Sequence, residues 1–531
     1  MTFGNLKRGT ALSRMAVIAA LGLASTGALA SEVSLKSSDG TVNLTGEFVD
    51  FVDDNYIIRT ALGELRISAA RVRCEGAACP TFETATADVK FAGSDTIGSG
   101  LMPLLLAGYA SSQDAEASVT ATANAGEIVA TLVGDGGFGD ELGSYLVSST
   151  SSGDAFESLL NSEAQLGMSA RRITPNEARA LRDSGAGNMV SPSQEHIIAA
   201  DSVVVITNPG NPVDQLTLEQ VAGIYSGQIS NWSELGGPDA PIKVINRDSE
   251  TGTYETFYGN IFGGDAQAIA PIGEVAEDNN QMASMVNADE NAIGFVGYAF
   301  QRGAKPVSLV NSCGIVTTPD AFSAKTEEYQ LQRRLYIYTR EDTADDATDT
   351  FIDYATSADA DNVIAKAGFI NLGIATQEMS MDSPRAMTLL NAEVDAYEGN
   401  IIREKLRMMV NYDRLSTTFR FRTGSSKLDE RGRIDMARLT DYLEGMPEGT
   451  SIRLVGFTDS VGAFDSNLAL SIARAEQVMA ELRGFAGDRL ANVSFDATGF
   501  GEVAPTACNT DDRGKSINRR VEVWIESGSA S

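Results

Sequence analysis

The chain has 531 residues, 43% of them apolar, with a formal charge of −31 and an isoelectric point near 4.4. That length is several domains' worth, and that apolar fraction lets each domain bury a core. The charge excludes nucleic-acid binding through the net field, so a site for an anion has to work through local donors.

The first thirty residues read as a secretory signal peptide. Lys7, Arg8 and Arg14 make a basic start, Met15 to Gly27 an apolar run too short to span a membrane comfortably, and Ala28-Leu29-Ala30 a small-residue cleavage signal. Cleavage is expected before Ser31, giving an exported protein. No cysteine opens the remaining chain, so a lipoprotein anchor is not expected, and no later stretch reaches transmembrane length.

Residues 31–84 read as a small β module. Val42-Asn43-Leu44, Phe48 to Phe51, Tyr56 to Arg59 and Leu65-Arg66-Ile67 are short β-type runs, with turns at Asp39-Gly40, Asp53-Asp54-Asn55 and Leu62-Gly63-Glu64. A docking or spacer role is the default for it. Cys74 and Cys79 are spaced for a small-loop disulfide. Cys313 and Cys508 are expected in different domains, their pairing open. Two distant cysteines and one histidine lack zinc-ligand spacing, so no metal is expected, and His196 reads as structural.

From 85 to 376, apolar strands such as Val89 to Ala92, Val203 to Ile206 and Ile293 to Val296 alternate with segments of helical spacing, predicting two α/β lobes. Within them, Ile242 to Ile245 reads as a buried strand running into Arg247-Asp248-Ser249-Glu250-Thr251-Gly252-Thr253 and then a helix. Strand, small hydroxyl residues around a glycine, and helix together leave free N–H groups at the positive end of a helix dipole. Arg247, Thr251 and Thr253 add side-chain donors suited to a tetrahedral oxyanion. An ordinary βα turn with a surface arginine is the competing reading.

Residues 377–412 are Met-rich and helical in propensity. Glu393 to Met409 is expected as an amphipathic linker helix bridging two domains, with Met379, Met381 and Met387 as packing residues. Residues 413–531 form a separate unit, nearly balanced at 15 basic and 18 acidic residues. Its order of strands and helices, from Thr417–Phe421 to Arg520–Ile525, predicts a compact α+β sandwich. Asp459, just after a strand, and Arg474, in the next helix, return to one sheet edge, where such a pair clamps a zwitterion or forms a surface salt bridge.

Two resemblances choose between these alternatives. Residues 416–526 resemble the OmpA-like peptidoglycan-binding domain through Gly456-Phe457-Thr458-Asp459, Asn467, Leu470-Ser471, Arg474-Ala475, Gly499, Gly501-Glu502, Pro505, Asn509 and Asn518-Arg519-Arg520-Val521-Glu522. The resemblance implies that Asp459 and Arg474 grip the diaminopimelate of the wall peptide, with Asn467 and Arg520 lining the same groove. Residues 89 to about 372 resemble phosphate-binding periplasmic proteins of ABC importers, of the PstS type. Asn208-Pro209-Gly210-Asn211-Pro212, Leu216 to Gln220, Ile224-Tyr225-Ser226-Gly227 and Asn231-Trp232 carry it at packing and turn positions. Three ligand loops follow from it: Gly93-Ser94-Asp95-Thr96 with Thr96 as donor, Ser151-Ser152-Gly153, and Arg247 with Thr251-Gly252-Thr253.

One departure stands out. The family's phosphate-selective members place an aspartate after the serine of a Gly-x-Ser segment, where it accepts the ligand's proton. Here Gly167-Met168-Ser169 is followed by Ala170, leaving Asp95 or Asp154 as substitutes. The glycine-rich insertion Gly134 to Gly139 reads as a lid or a long surface turn.

The expected fold is thus α/β: a two-lobed periplasmic-binding-protein fold (85–376), preceded by the β module and followed by the linker and the α+β OmpA-like sandwich. The expected function is capture of phosphate or a related oxyanion by a protein tethered to peptidoglycan, with an ABC importer permease as a further partner. No enzyme activity and no cofactor are expected, since paired metal ligands and a Gly-x-Ser-x-Gly elbow are missing. The rival reading is an envelope scaffold whose binding lobe has lost or changed its ligand.

Overall fold

The computed structural model describes residues 32–528 apart from 37–42, 53–54, 62, 69–71, 77, 80–86, 123, 125, 250, 264–271, 344, 393 and 422–429. The expected leader, residues 1–30, lies outside the described residues, as do Asp39-Gly40, Asp53-Asp54, Leu62 and Glu250.

Alternation builds the first unit. Strands Glu32–Lys36, Asn43–Val52, Asn55–Thr60, Gly63–Ser68 and Arg73–Glu75 form one antiparallel sheet, with 32–36 between 43–52 and 73–75. Val33, Leu35, Tyr56 and Ile58 bury its inner face. The runs read separately around Asn43 and Phe48 are one strand, kinked by an irregularity between Phe48 and Asp50. Cys74 and Cys79 are disulfide-bonded, their Cα atoms 5.9 Å apart.

Two long strands, Glu195–Thr207 and Gln332–Thr339, hold the next unit together. The first half of Glu195–Thr207 pairs with Gln332–Thr339, and Val203–Thr207 pairs with Ala292–Gly297. A single path of strands therefore runs from one lobe into the other. The first lobe contains Val89–Ser94 between Leu166–Ser169 and Glu141–Thr150, backed by helices Met102–Ser112 and Ser152–Leu160. The second contains Lys243–Arg247 between Glu274–Ala276 and Ala292–Gly297, with helix Gly252–Phe262. Edge-to-face Phe91, Tyr109 and Phe351 centre the first core, and stacked Phe257 and Phe295, 4.0 Å apart, the second. The stretch from Asn208 to Trp232 packs as expected: Trp232 is fully buried, and Asn208 Nδ2 donates to the carbonyls of Val286 and Asn287.

Strands Thr376–Gln377, Tyr412–Arg420, Arg520–Glu526, Thr450–Gly456 and Val493–Gly499 form the C-terminal sheet in that order. Helix Phe464–Ala486 packs on one face through Ala475, Val478 and Leu482. Helices Pro384–Leu390 and Ala396–Asn411 cover apolar groups on the domain's other side, where Ile402, Leu406, Met408 and Met409 meet Val455, Phe457 and Trp524. The expected linker is therefore part of the C-terminal unit. An amphipathic helix buries its apolar face on whatever apolar surface lies nearest, here the uncovered side of that sheet.

That unit holds both lobes. Cys508 is disulfide-bonded to Cys313, with Cα atoms 5.7 Å apart. Arg414 pairs with Glu328 at 2.7 Å and Arg420 with Glu327 at 3.0 Å, while Arg438 reaches Asp361 of a first-lobe helix at 2.9 Å. Beneath this interface Glu522 is fully buried. Burial pushes its carboxyl up, but Arg385, Arg414, Arg520 and Lys405 outweigh that and hold it well below its ordinary range.

Candidate functional sites

Arg247 ends a buried strand and is itself 1% exposed. Its Nη2 donates to Asp95 Oδ2 at 2.8 Å, across from the other lobe, while its Nε and Nη1 meet no partner among the described residues. An orphaned buried donor costs about 1–3 kcal/mol, more when charged, so this guanidinium is built for an acceptor.

Two helices start at the same place. Helix Ser152–Leu160 is capped by Ser151, whose hydroxyl accepts from Asp154 N while the Asp154 carboxylate accepts from Ser151 N. Helix Gly252–Phe262 is capped by Thr251, whose Oγ1 accepts from Tyr254 N and donates to Asp248 O. In each helix the cap takes the third N–H, and the first two have no intrahelical partner. The lobes meet closely here: a side chain on Gly252 would run into Ser152 Oγ of the opposite lobe. Buried Thr96 and Thr253 bring their hydroxyls within 3.4 Å of each other.

Thr96, Ser152, Arg247, Gly252 and Thr253 therefore converge as expected. Ser151 and Thr251 stand one residue back, their hydroxyls spent as caps. Asp95 and Asp154 are both engaged, the first by Arg247 and Thr96 N, the second in the capping box. Ala170 is fully buried at the site, its N–H donating to Ser152 Oγ at 3.0 Å. Beside it a cavity of about 320 Å³ runs between the lobes, lined by Ala170, Arg171, Glu255, Asn260, Arg333 and Tyr336. Arg171 spans the cleft to Glu255 at 2.8 Å.

Arg333, which the sequence reading did not single out, completes the site. Almost fully buried on the second long strand, it pairs with Asp201 on the first at 2.8 Å. Its Nη2 also lies 3.2 Å from Thr253 Oγ1 and 3.5 Å from Thr96 Oγ1. Its only sequence signal was the charged pair Arg333-Arg334 at the start of a strand that runs apolar from Leu335. The Gly134–Gly139 turn is no lid. It precedes strand Glu141–Thr150, whose far end leads into the Ser151 loop, so turn and cleft lie at opposite ends of the sheet.

The second constellation lies in the C-terminal unit. Arg474 is 1% exposed and stacks over Phe421 at 5.2 Å, with Nε and Nη1 unpartnered among the described residues. Burial, and then neighbouring Arg519, lower its pKa. Asp459 Oδ2 accepts from Arg519 Nη1 at 2.7 Å, and Asn467 Nδ2 reaches the Asp459 carbonyl and the Glu502 carboxylate. Arg520 does not line this groove. It is fully buried, bonded to Glu522 at 2.8 Å and to Ala504 O at 2.9 Å, and burial lowers its pKa to about 10. Neighbouring residues of an extended chain point to opposite sides, so Arg519 faces Asp459 and Arg520 the buried charge cluster. The tandem Arg519-Arg520 was visible in the sequence; which of the two faces the groove was not.

Residues 80–359 match the PBP superfamily domain, and residues 420–519 match the OmpA family. The first match takes in more than half of the chain, which belongs to the PBP superfamily. Within it, the chain joins a PstS-like binding domain to a C-terminal OmpA-family domain. It is 29% identical over 223 residues to the phosphate-binding protein PstS of Borreliella burgdorferi, covering 40% of this chain and 75% of that protein. Among solved structures, an ABC-type phosphate transport receptor from Vibrio cholerae aligns over 53% of this chain and 99% of its own, with 24% identity and a TM-score of 0.38. The peptidoglycan-associated lipoprotein of Burkholderia pseudomallei aligns over 20% of this chain and 89% of its own, with 27% identity and a TM-score of 0.19.

Proposed function

We propose that the protein is an exported solute-binding protein that captures phosphate or a related oxyanion and is held non-covalently to peptidoglycan in a Gram-negative-type periplasm. The observation that carries the first half is Arg247, a buried cation with two nitrogens unpaired among the described residues where helix starts from both lobes meet. Helix N–H groups and hydroxyls of Thr96, Ser152 and Thr253 replace the anion's water shell, and Arg247 balances its charge. The lobes close about the two long strands, and Arg171 with Glu255 latches the mouth. Capture of this kind serves delivery to an ABC importer permease and involves no chemical step. In the wall-binding half, Arg474 takes the carboxylate of a diaminopimelate residue and Asp459 its ammonium, displacing Arg519.

Titration calorimetry on residues 31–531, freed of carried-over ligand, tests the first half with phosphate and sulfate. Binding of either anion that Arg247→Ala abolishes is expected. Absence of heat from folded protein with both would leave the scaffold reading. Co-sedimentation with purified peptidoglycan, lost on Arg474→Ala, tests the second half.

A further inference from the structure

Resting on the reading of the cleft as an oxyanion site, we infer that Arg333 is a specificity-determining positioning residue that makes the site donor-only, selecting a tetrahedral oxyanion that carries no proton. Sulfate is the ordinary member of that class, and hydrogen phosphate is the close rival that it disfavours.

The inference follows from where each hydrogen goes. Ser152 Oγ accepts from the buried N–H of Ala170. Thr253 Oγ1 accepts from Arg333 Nη2, and Thr96 Oγ1 lies at the limit of reach of the same nitrogen. A hydroxyl whose oxygen is occupied by an N–H has its own proton left to give. The other contacts open to the Thr96 proton, Asp95 Oδ1 and Thr253 Oγ1, are both 3.4 Å away, too long to hold it against a better acceptor. The Ser152 and Thr253 hydroxyls, their oxygens occupied, are thus left to donate, and the Thr96 proton has no short contact to hold it, beside the Nε and Nη1 of Arg247, which have no partner among the described residues.

Three carboxylates around the site are committed. Asp95 takes Arg247 and Thr96 N, Asp201 takes Arg333 and Tyr298 N, and Asp154 takes Ser151 N. At the position where a carboxylate would receive a ligand proton stands Ala170, bordering the cavity. A ligand oxygen bearing a proton would face a donor with a donor, one hydrogen bond lost and one buried N–H or O–H left orphaned. Sites built in this way discriminate strongly between near-isosteres, because the mismatched ligand leaves their buried polar groups unpaired.

The test is calorimetry of sulfate and phosphate on residues 31–531 at one neutral pH, for the parent chain, Arg333→Met, Arg333→Lys and Ala170→Asp, with circular dichroism to confirm folding. Sulfate is expected to bind more tightly than phosphate by about tenfold or more. Arg333→Met should bring the two affinities together, and Arg333→Lys should restore part of the difference. Ala170→Asp needs no change at Arg333 and should reverse the preference by supplying an acceptor. Phosphate binding as tightly as sulfate in the parent chain would overturn the inference while leaving the oxyanion receptor standing. An unchanged ratio in folded Arg333→Met would remove Arg333 from the account. If neither anion binds the parent chain, the receptor reading and this inference fall together.

Discussion

The cleft and the wall-binding groove are built from the same parts and differ in one commitment. Each buries an arginine with nitrogens unpaired among the described residues, Arg247 in the cleft and Arg474 in the groove. In the cleft, Asp95 and Asp201 are fixed to arginines and backbone N–H groups, so among the described residues it is donors that are left over. In the groove, Asp459 is held by Arg519, whose nitrogen an ammonium group can replace. On the proposed reading, one site takes an anion and the other a zwitterion. The chain's strong negative charge has no say in either, because buried donors act over hydrogen-bond distances, well inside the reach of the net field.

The sharpest way to break this comparison is to remove each arginine in turn. Arg247→Ala leaves Asp95 without its partner as well as removing donors, and should cost about 3–5 kcal/mol of anion binding by calorimetry, with wall binding unchanged. Arg474→Ala should cost at least about 2 kcal/mol of peptide-fragment binding and leave anion binding intact. Loss of both functions in either variant would mean that the two sites are not independent.

The Cys313–Cys508 disulfide tests how far the two units share stability. Its closure spans a sequence separation of 195 residues, and a double Cys→Ser variant should lose about 2–5 kcal/mol, read as a drop in melting temperature. A split into two melting transitions would show that the disulfide couples otherwise separate domains.

Acid should separate the two regions as well. His196, the only histidine, lies on a long strand of the binding domain, where burial lowers its pKa from 6.5 to about 4. A base with a depressed folded pKa binds fewer protons folded than unfolded, so stability falls as pH drops from 6.5 toward 4. This amounts to about 2 kcal/mol by pH 5. In denaturant titrations, His196→Asn should flatten that slope by about one proton. The smallest effect contrasts neighbours. Ser151→Ala should cost about 1 kcal/mol of stability through the lost cap, with anion affinity nearly unchanged, whereas Ser152→Ala should weaken affinity and also cost about 1–3 kcal/mol of stability by orphaning the buried Ala170 N–H.

Much of this was legible because it is local. Alternation marked the strands of the first unit, and Arg247 through Thr253 spelled out a strand, a cap and a helix start. Gly456 to Asp459 and Asn518 to Glu522 carried the C-terminal family through short motifs. Ser151 and Thr251 show the limit of that legibility. A hydroxyl at a helix start reads the same whether it caps the helix or faces a ligand, and only the backbone turn decides.

By itself the sequence pointed to the two-lobed domain and the C-terminal sandwich through periodicity and contiguous motifs, and to the Arg247 loop through its strand, cap and helix start, while the Thr96 and Ser152 loops came from the resemblance. Tertiary structure decided the rest. It set Arg333 and Asp201 behind the Thr96 and Thr253 hydroxyls, turned Arg519 rather than Arg520 toward Asp459, folded the supposed linker onto the C-terminal unit, and joined Cys313 to Cys508. Each of these pairs elements distant in the chain or chooses between two sides of a strand. Burial and packing settle such choices, and no local spacing encodes them.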